Sequence, residues 1–229
     1  MSQTPHLRKI QSFVKRSGRL TEGQKHGLGA LWSKYGVEIT DQVIDLEALF
    51  PKKQPIFLEI GFGNGDSLLT MAKNETEHNF LGVEVYEAGV GRLINETNKQ
   101  NLKNLKIIKG DAVEVLKHNI ADNAFSGFQL YFPDPWHKKR HHKRRIVQSD
   151  FMTLLSKKLK NHAFVHMATD WEDYAEQMMQ VLESHPNFKN TVGAHIYSPK
   201  PERRPNTKFE KRGERLGHGV WDLLFTNQK

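Results

Sequence analysis

The sequence predicts an α/β protein: a doubly wound, mostly parallel seven-stranded sheet with a terminal antiparallel strand pair. Three observations carry that expectation. Short apolar runs alternate with helical patterns from about residue 55 onward. The first run, Phe57-Leu58-Glu59-Ile60, delivers a glycine-rich turn, Gly61-Phe62-Gly63-Asn64-Gly65. The last two runs are joined by a charged, proline-containing loop instead of a helix. Repeated strand–helix units bury parallel strands on both faces and leave ligand sites at the carboxyl ends of the strands.

The elements follow in order. Residues 55–60 form an apolar run ending at glycine, as a buried parallel strand does. Residues 66–73, with Leu68, Leu69 and Met71, suit the helix after it. Strand two is expected over 80–85 and a polar-faced helix over 88–100; strand three spans 105–111, and residues 112–116 open a third helix. Strand four covers 127–132 and is stopped by Pro133, which has no amide to give a sheet. A helix over 149–159, strand five over 163–169 and a helix over 173–183, closed by His185-Pro186, complete the alternation. Residues 191–197 and 219–225 are the expected antiparallel pair.

Ahead of this domain, taken as residues 36–229, residues 1–35 read as a basic arm. Charge is clustered there, glycines recur at Gly18, Gly23, Gly27 and Gly29, and apolar periodicity is weak. An arm of this composition is expected to order on binding its partner.

Composition narrows the chemistry. Cysteine is absent, which excludes disulfides, thiolate metal sites and cysteine nucleophiles, and disfavours methylation at pyrimidine carbon 5. No apolar run approaches the roughly 18–20 residues that span a bilayer, and residues 1–10 carry no secretion signal, so a cytoplasmic protein is expected. A net charge of +8 favours polyanions through counterion release. The charge is also segregated: Arg8, Lys9, Lys15, Arg16, Arg19 and the run from Lys138 to Arg145 are basic, while acids gather among Asp41, Asp45, Glu47, Glu75 and Glu77.

The glycine turn alone admits several cofactors. A dinucleotide site wants a small residue three places after the second glycine, where the pyrophosphate meets a helix N-terminus. Asp66 stands there, and its carboxylate would repel a pyrophosphate. S-adenosylmethionine carries no phosphate; its ammonium group takes a carboxylate or carbonyl, and its ribose takes an acceptor pair. Three successive strand ends each offer an acid: Glu59, Glu84 and Asp111. Each also reads as an ordinary cap, Asp111 above all, with Glu114 as a box partner. Their common phase favours the cofactor.

Asp134 follows strand four between Pro133 and Pro135, which restrict the chain and present the carboxylate rigidly, and Trp136 offers a flat face for a base. The run Lys138-Lys139-Arg140-His141-His142-Lys143-Arg144-Arg145 comes next, two positions beyond, as a phosphate clamp would. Its paired histidines have no acid or cysteine at ligand spacing, so no metal is expected.

Glu-Ile-Gly-Phe-Gly-Asn-Gly from Glu59, Gly-Val-Glu-Val-Tyr from Gly82, Pro-Asp-Pro-Trp with its basic tail, Thr169-Asp170 and Thr207-Lys208-Phe209-Glu210 together resemble the bacterial tRNA (guanine-N7-)-methyltransferase family, whose core is a Rossmann-like methyltransferase fold. The segment from Gln11 to Leu20 resembles that family's N-terminus. The resemblance covers nearly the whole chain. It implies S-adenosylmethionine held by Glu59, Glu84, Asp111 and Asp134 around Gly61, Gly63 and Gly65, with Asp134 also catalytic. It implies substrate contacts at Lys138, Asp170, Thr207, Lys208, Phe209 and Glu210, and RNA contacts at Arg140, His141, His142, Lys143, Arg144 and Arg145. The substrate implied is a guanosine in the variable loop of tRNA. Three alternatives stay open at this level: a dinucleotide-dependent oxidoreductase, a non-catalytic RNA-binding protein on a methyltransferase core, and a methyltransferase for another RNA or atom. Oligomeric state is not legible.

Overall fold

The computed structural model describes residues 10–14, 18–205, 210 and 219–229. Seven strands form one sheet in the order β3-β2-β1-β4-β5-β7-β6. They are β1 (Ile56–Ile60), β2 (Asn79–Glu84), β3 (Leu105–Lys109), β4 (Phe125–Tyr131), β5 (Leu159–Thr169), β6 (Phe188–Asn190) and β7 (Trp221–Asn227). The first five pair in parallel, and β7 runs antiparallel to both β5 and β6. The expected class and the terminal antiparallel pair are therefore both present.

Side-chain alternation along the strands builds two cores. Leu58, Ile60, Leu81, Val83, Ile108, Phe128, Leu130, Val165 and Met167 face one way, into a cluster shared with α5 (Ala112–His118), α6 (Ser149–Lys158) and α7 (Glu172–Ser184). Phe57, Phe80, Leu105, Ile107 and Tyr131 face the other way, toward α3 (Asp66–Asn74) and α4 (Glu87–Lys99). Both faces of each central strand are buried, which explains why β1 reads as a continuous apolar run broken by a single acid.

One expected strand is misplaced. Residues 191–197 form turns, and the edge strand is the shorter β6 just before them. Gly193 has φ +119° and His195 φ 60°, values a strand cannot contain, and Asn190 and Glu183 side chains hold the turn by accepting from the amides of Val192 and His195. The alternation in Thr191-Val192-Gly193-Ala194-His195-Ile196-Tyr197 imitates a strand without supplying a ladder.

Within the N-terminal region, α1 (Glu22–Leu28) starts with a reciprocal capping box between Thr21 and Gln24 and lies directly on α4. The approach is close because both helices use glycine at the crossing. A Cβ on Gly27 would lie 2.1 Å from the Gly91 carbonyl oxygen, and one on Gly91 would lie 2.3 Å from that of Gln24. α2 (Trp32–Tyr35) buries Tyr35, and Val37 then donates to the Ile107 carbonyl at 2.8 Å, so the chain enters the domain along the edge of β3.

Because backbone would have to move, Gly91→Ala should destabilise the protein by about 1–3 kcal/mol. Denaturant unfolding measures this directly. An unchanged midpoint would mean that α1 is not held against α4 in solution.

Candidate active site

The strand order reverses between β1 and β4, and the crevice at their carboxyl ends is where a doubly wound sheet takes ligands. The turn after β1 enters it with Gly61, Gly63 and Gly65 all at positive φ (71°, 56° and 77°), a conformation that L side chains avoid. Gly65 then starts α3. α4 presses on the turn from behind: a Cβ on Gly89 would come within 1.9 Å of the Gly63 carbonyl oxygen. Asp66 is neutralised by Arg92 at 2.6 Å, and the same guanidinium donates to the Asn64 carbonyl at 2.5 Å, bracing the turn from its far side.

The three strand-end acids have three different environments. Glu84 is buried, and its carboxylate accepts from the amides of Gly63 (2.7 Å), Val85 (2.6 Å) and Tyr86 (2.9 Å), tying the glycine turn to the start of α4. Asp111 is a half-buried N-cap, accepting from the Val113 amide at 3.0 Å. The cap alternative considered from sequence is thus realised there. Glu59 is 2% exposed, and its Oε2 has no hydrogen-bond partner. Burial first, and the neighbouring Glu84 charge second, push its carboxyl up to about 8. A buried acceptor lacking a donor beside a glycine turn fits a cationic group such as the ammonium of S-adenosylmethionine.

Asp134 lies at the end of β4, exposed, between two residues in the left-handed region: Phe132 at φ 52° and Trp136 at φ 49°. Left-handed aromatic residues flanking a Pro-Asp-Pro turn cost roughly 1–3 kcal/mol each and persist only where surroundings hold them. Here Phe132 donates to the Ala168 carbonyl at 2.7 Å. Asp170, half-buried, follows the neighbouring strand end at β5, and Lys138 is exposed just beyond Trp136.

The basic run forms a 3₁₀ helix, Lys139–Arg144. Arg140 and Lys143 are exposed, and His141 and His142 are half-buried. Arg144 stacks 3.7 Å from the Trp136 ring centroid and donates to the Gln11 and Phe13 carbonyls at 2.9 Å each, while the Trp136 ring nitrogen donates to the Ser12 carbonyl at 3.3 Å. One face of the expected stacking platform is therefore covered by an arginine. Arg145, expected on the RNA side, points inward instead. Its guanidinium is bound by the Pro135 carbonyl (2.8 Å), Gln177 (2.6 Å), His142 (3.1 Å) and Asp173, and it lies over Tyr174. The run is amphipathic, a property its unbroken charge conceals.

Of the late motif, Thr207, Lys208 and Phe209 lie outside the described residues. Glu210 is 3% exposed, accepting from both terminal nitrogens of Arg204 (3.0 and 2.9 Å) and from Lys200 (3.0 Å). Arg204 also meets Asp222, Asp222 contacts His166 at 2.6 Å, and His166 contacts the Tyr131 hydroxyl at 2.9 Å. Sequence reasoning missed this buried chain. Its signal was present: His166 and Asp222 interrupt otherwise apolar strands. Among the described residues, Glu75, Glu77 and His78 also bring possible metal ligands within 4.8 Å of one another. Glu75, however, already pairs with Arg203 at 2.8 Å and with His78 at 3.0 Å.

Comparison with known proteins places this geometry in context. A family model described as "Putative methyltransferase" matches residues 53–223. A tRNA (guanine-N(7)-)-methyltransferase of Psychromonas ingrahamii is 54% identical over 220 residues, which covers 96% of this chain and 90% of the relative. One of Salmonella typhimurium is 53% identical over 223 residues, covering 97% and 93%. Among solved structures, a 16S rRNA methyltransferase superposes with a TM-score of 0.58 at 13% identity, covering 97% of this chain and 100% of the other. An aminoglycoside-resistance methyltransferase gives 0.57 at 15%, covering 83% and 95%. At such identities the structural likeness concerns the fold.

A cation binding beside Glu59 favours the carboxylate, so binding below pH 8 must expel its proton. Calorimetry of S-adenosylhomocysteine binding at pH 7, in buffers of different ionisation enthalpy, should register release of roughly one proton. Glu59→Gln should abolish the release and weaken binding. Equal proton counts in the two proteins would remove Glu59 from the ligand site.

Proposed function

The chain belongs to the tRNA (guanine-N7-)-methyltransferase family, and from that membership we propose that it transfers the methyl group of S-adenosylmethionine to N7 of a guanosine in the variable loop of tRNA. The observation that carries the reading is a juxtaposition at the carboxyl ends of β1 and β4. A buried carboxylate with one oxygen lacking a donor, beside a left-handed glycine turn, is followed, one strand over, by an exposed carboxylate on a strained turn that leads straight into a basic helix.

Bound there, S-adenosylmethionine supplies an electrophilic methyl group on a sulfonium centre. Glu59 would take the ammonium, and Glu84, with three acceptor positions given to the turn, would keep one for the ribose. Asp111 borders the adenine. Guanine N7 offers an in-plane lone pair and carries no hydrogen, so the protein needs no general base; it must orient the base and stabilise a cationic product. Asp134 does both, accepting from the Watson–Crick edge and supplying negative field. Asp170 is the second acid beside it, and Lys138 meets the substrate from the opposite side.

Arg140 and Lys143 are the outward charges of the 3₁₀ helix and bind phosphate without reading sequence. His141, His142 and Arg144 border the same surface, while Arg145 holds its base. Thr207, Lys208 and Phe209, outside the described residues, are assigned substrate contacts from the family resemblance alone. No helix among the described residues is long and apolar enough to cross a membrane, and the proposed place of action is the cytoplasm.

Incubation with S-adenosylmethionine and unmodified tRNA, followed by nucleoside analysis, should yield 7-methylguanosine; a different methylated nucleoside would overturn the base assignment. Asp134→Asn should lower turnover at saturating tRNA by about 10²–10³-fold, and wild-type turnover in that variant would end the role given to it. Replacing Arg140 and Lys143 together by alanine should reduce the salt dependence of tRNA affinity by about one unit of slope per lost contact. An unaltered slope would take the helix out of the interface.

A further inference from the structure

We propose that Arg204 is a positioning residue that ties the Asp134 turn to the strap of residues 199–205 and to Glu210, so that one buried guanidinium sets the geometry of that turn. The inference rests on the methyltransferase reading, but its physical content concerns this chain's own contacts.

Two buried carboxylates meet on Arg204. Glu210 receives its two terminal nitrogens at 3.0 and 2.9 Å, and Asp222 lies 2.8 Å from Nε and 2.9 Å from a terminal nitrogen. Lys200 supplies the second positive charge at 3.0 Å from Glu210. His166 stays neutral, its pKa lowered by burial, and both ring nitrogens are used. With Nε2–H donating to Asp222, Nδ1 accepts from the Tyr131 hydroxyl. The chain of contacts therefore runs Glu210–Arg204–Asp222–His166–Tyr131 across the ends of β7, β5 and β4.

One end adjoins the Asp134 turn. Tyr131 directly precedes Phe132-Pro133-Asp134-Pro135, and the Arg204 guanidinium also lies 5.6 Å from the centroid of Phe132, the left-handed residue on which that turn depends. A preceding residue, Arg203, anchors the same strap by packing on Phe57 and Phe164 and pairing with Glu75. A buried ion cluster contributes little net stability, because desolvating its members offsets their attraction, but it fixes geometry that apolar packing would leave slack. Glu210, engaged in this way and 3% exposed, acts through Arg204 and does not reach guanine.

Two measurements on Glu210→Gln, Asp222→Asn and the double variant test this. Hydrogen exchange of the free protein reads the tie without chemistry: the peptide spanning 131–138 should exchange about tenfold faster in each single variant, although Glu210 is remote from it in sequence. Turnover at saturating tRNA should fall about tenfold in each, and the double variant should fall no further than the worse single. Cofactor affinity should be retained. If Asp222→Asn does not fold, Arg204→Lys, which keeps the charge but loses the fork, takes its place with the same readouts. Unchanged exchange in the turn, or turnover losses that multiply, would overturn the proposal. A wild-type protein that makes no 7-methylguanosine would sink the reading of function instead, and would leave the exchange result standing.

Discussion

The architecture of the cofactor crevice depends on one buried carboxylate. Glu84 accepts three backbone amides, one from the glycine turn after β1 and two from the connection into α4. Charge-assisted hydrogen bonds in a site screened from water contribute roughly 1.5–3 kcal/mol each. They join two loops that share no covalent neighbour. The left-handed glycines make the turn possible, Gly89 lets α4 come close enough, and Glu84 makes the resulting shape unique. Glu59, with a buried oxygen unmatched, is the complementary case: structure takes most of one acid's acceptor capacity, and the other acid keeps an oxygen without a donor.

The same division recurs at the substrate edge. Positive charges in the run after Asp134 separate into those facing water, Arg140 and Lys143, and those that hold the loop. Arg145 is fully engaged beneath it. Arg144 and Trp136 reach the segment Gln11 to Phe13, so the arm and the basic helix share a contact. The inward charges fix the loop, and the outer charges, Arg140 and Lys143, remain exposed.

Covering one sheet face near β4 and β5 falls to an irregular strap. Where repeated strand–helix units would lay another helix, residues 199–205 and Glu210 cross instead, fixed by Arg203 on two phenylalanine rings and by Arg204 in the buried ion cluster. A strap has no periodic apolar stripe, so specific charged contacts do the work that helix packing does elsewhere. That substitution brings residues 199–205 and Glu210 toward the Asp134 turn without lengthening the domain.

The fold class, the parallel core, the glycine turn and the three strand-end acids were legible in the sequence. Each is imposed by short-range physics: alternation on a pleated strand, left-handed φ at glycine, and one unit of spacing per βα repeat. The Asp134 turn was legible for the same reason, since two prolines restrict their own backbone. What the sequence did not disclose depends on which side of an element meets solvent. The inward turn of Arg145, the stacking of Arg144 on Trp136, the short β6 in place of a strand over 191–197, and the chain from Tyr131 to Glu210 all join residues distant along the chain. Glu59 and Asp222 are both buried acids on strands of the sheet. One keeps an oxygen without a donor and the other is held by Arg204 and His166, because a buried charge takes its role from neighbours that only the folded chain brings within reach.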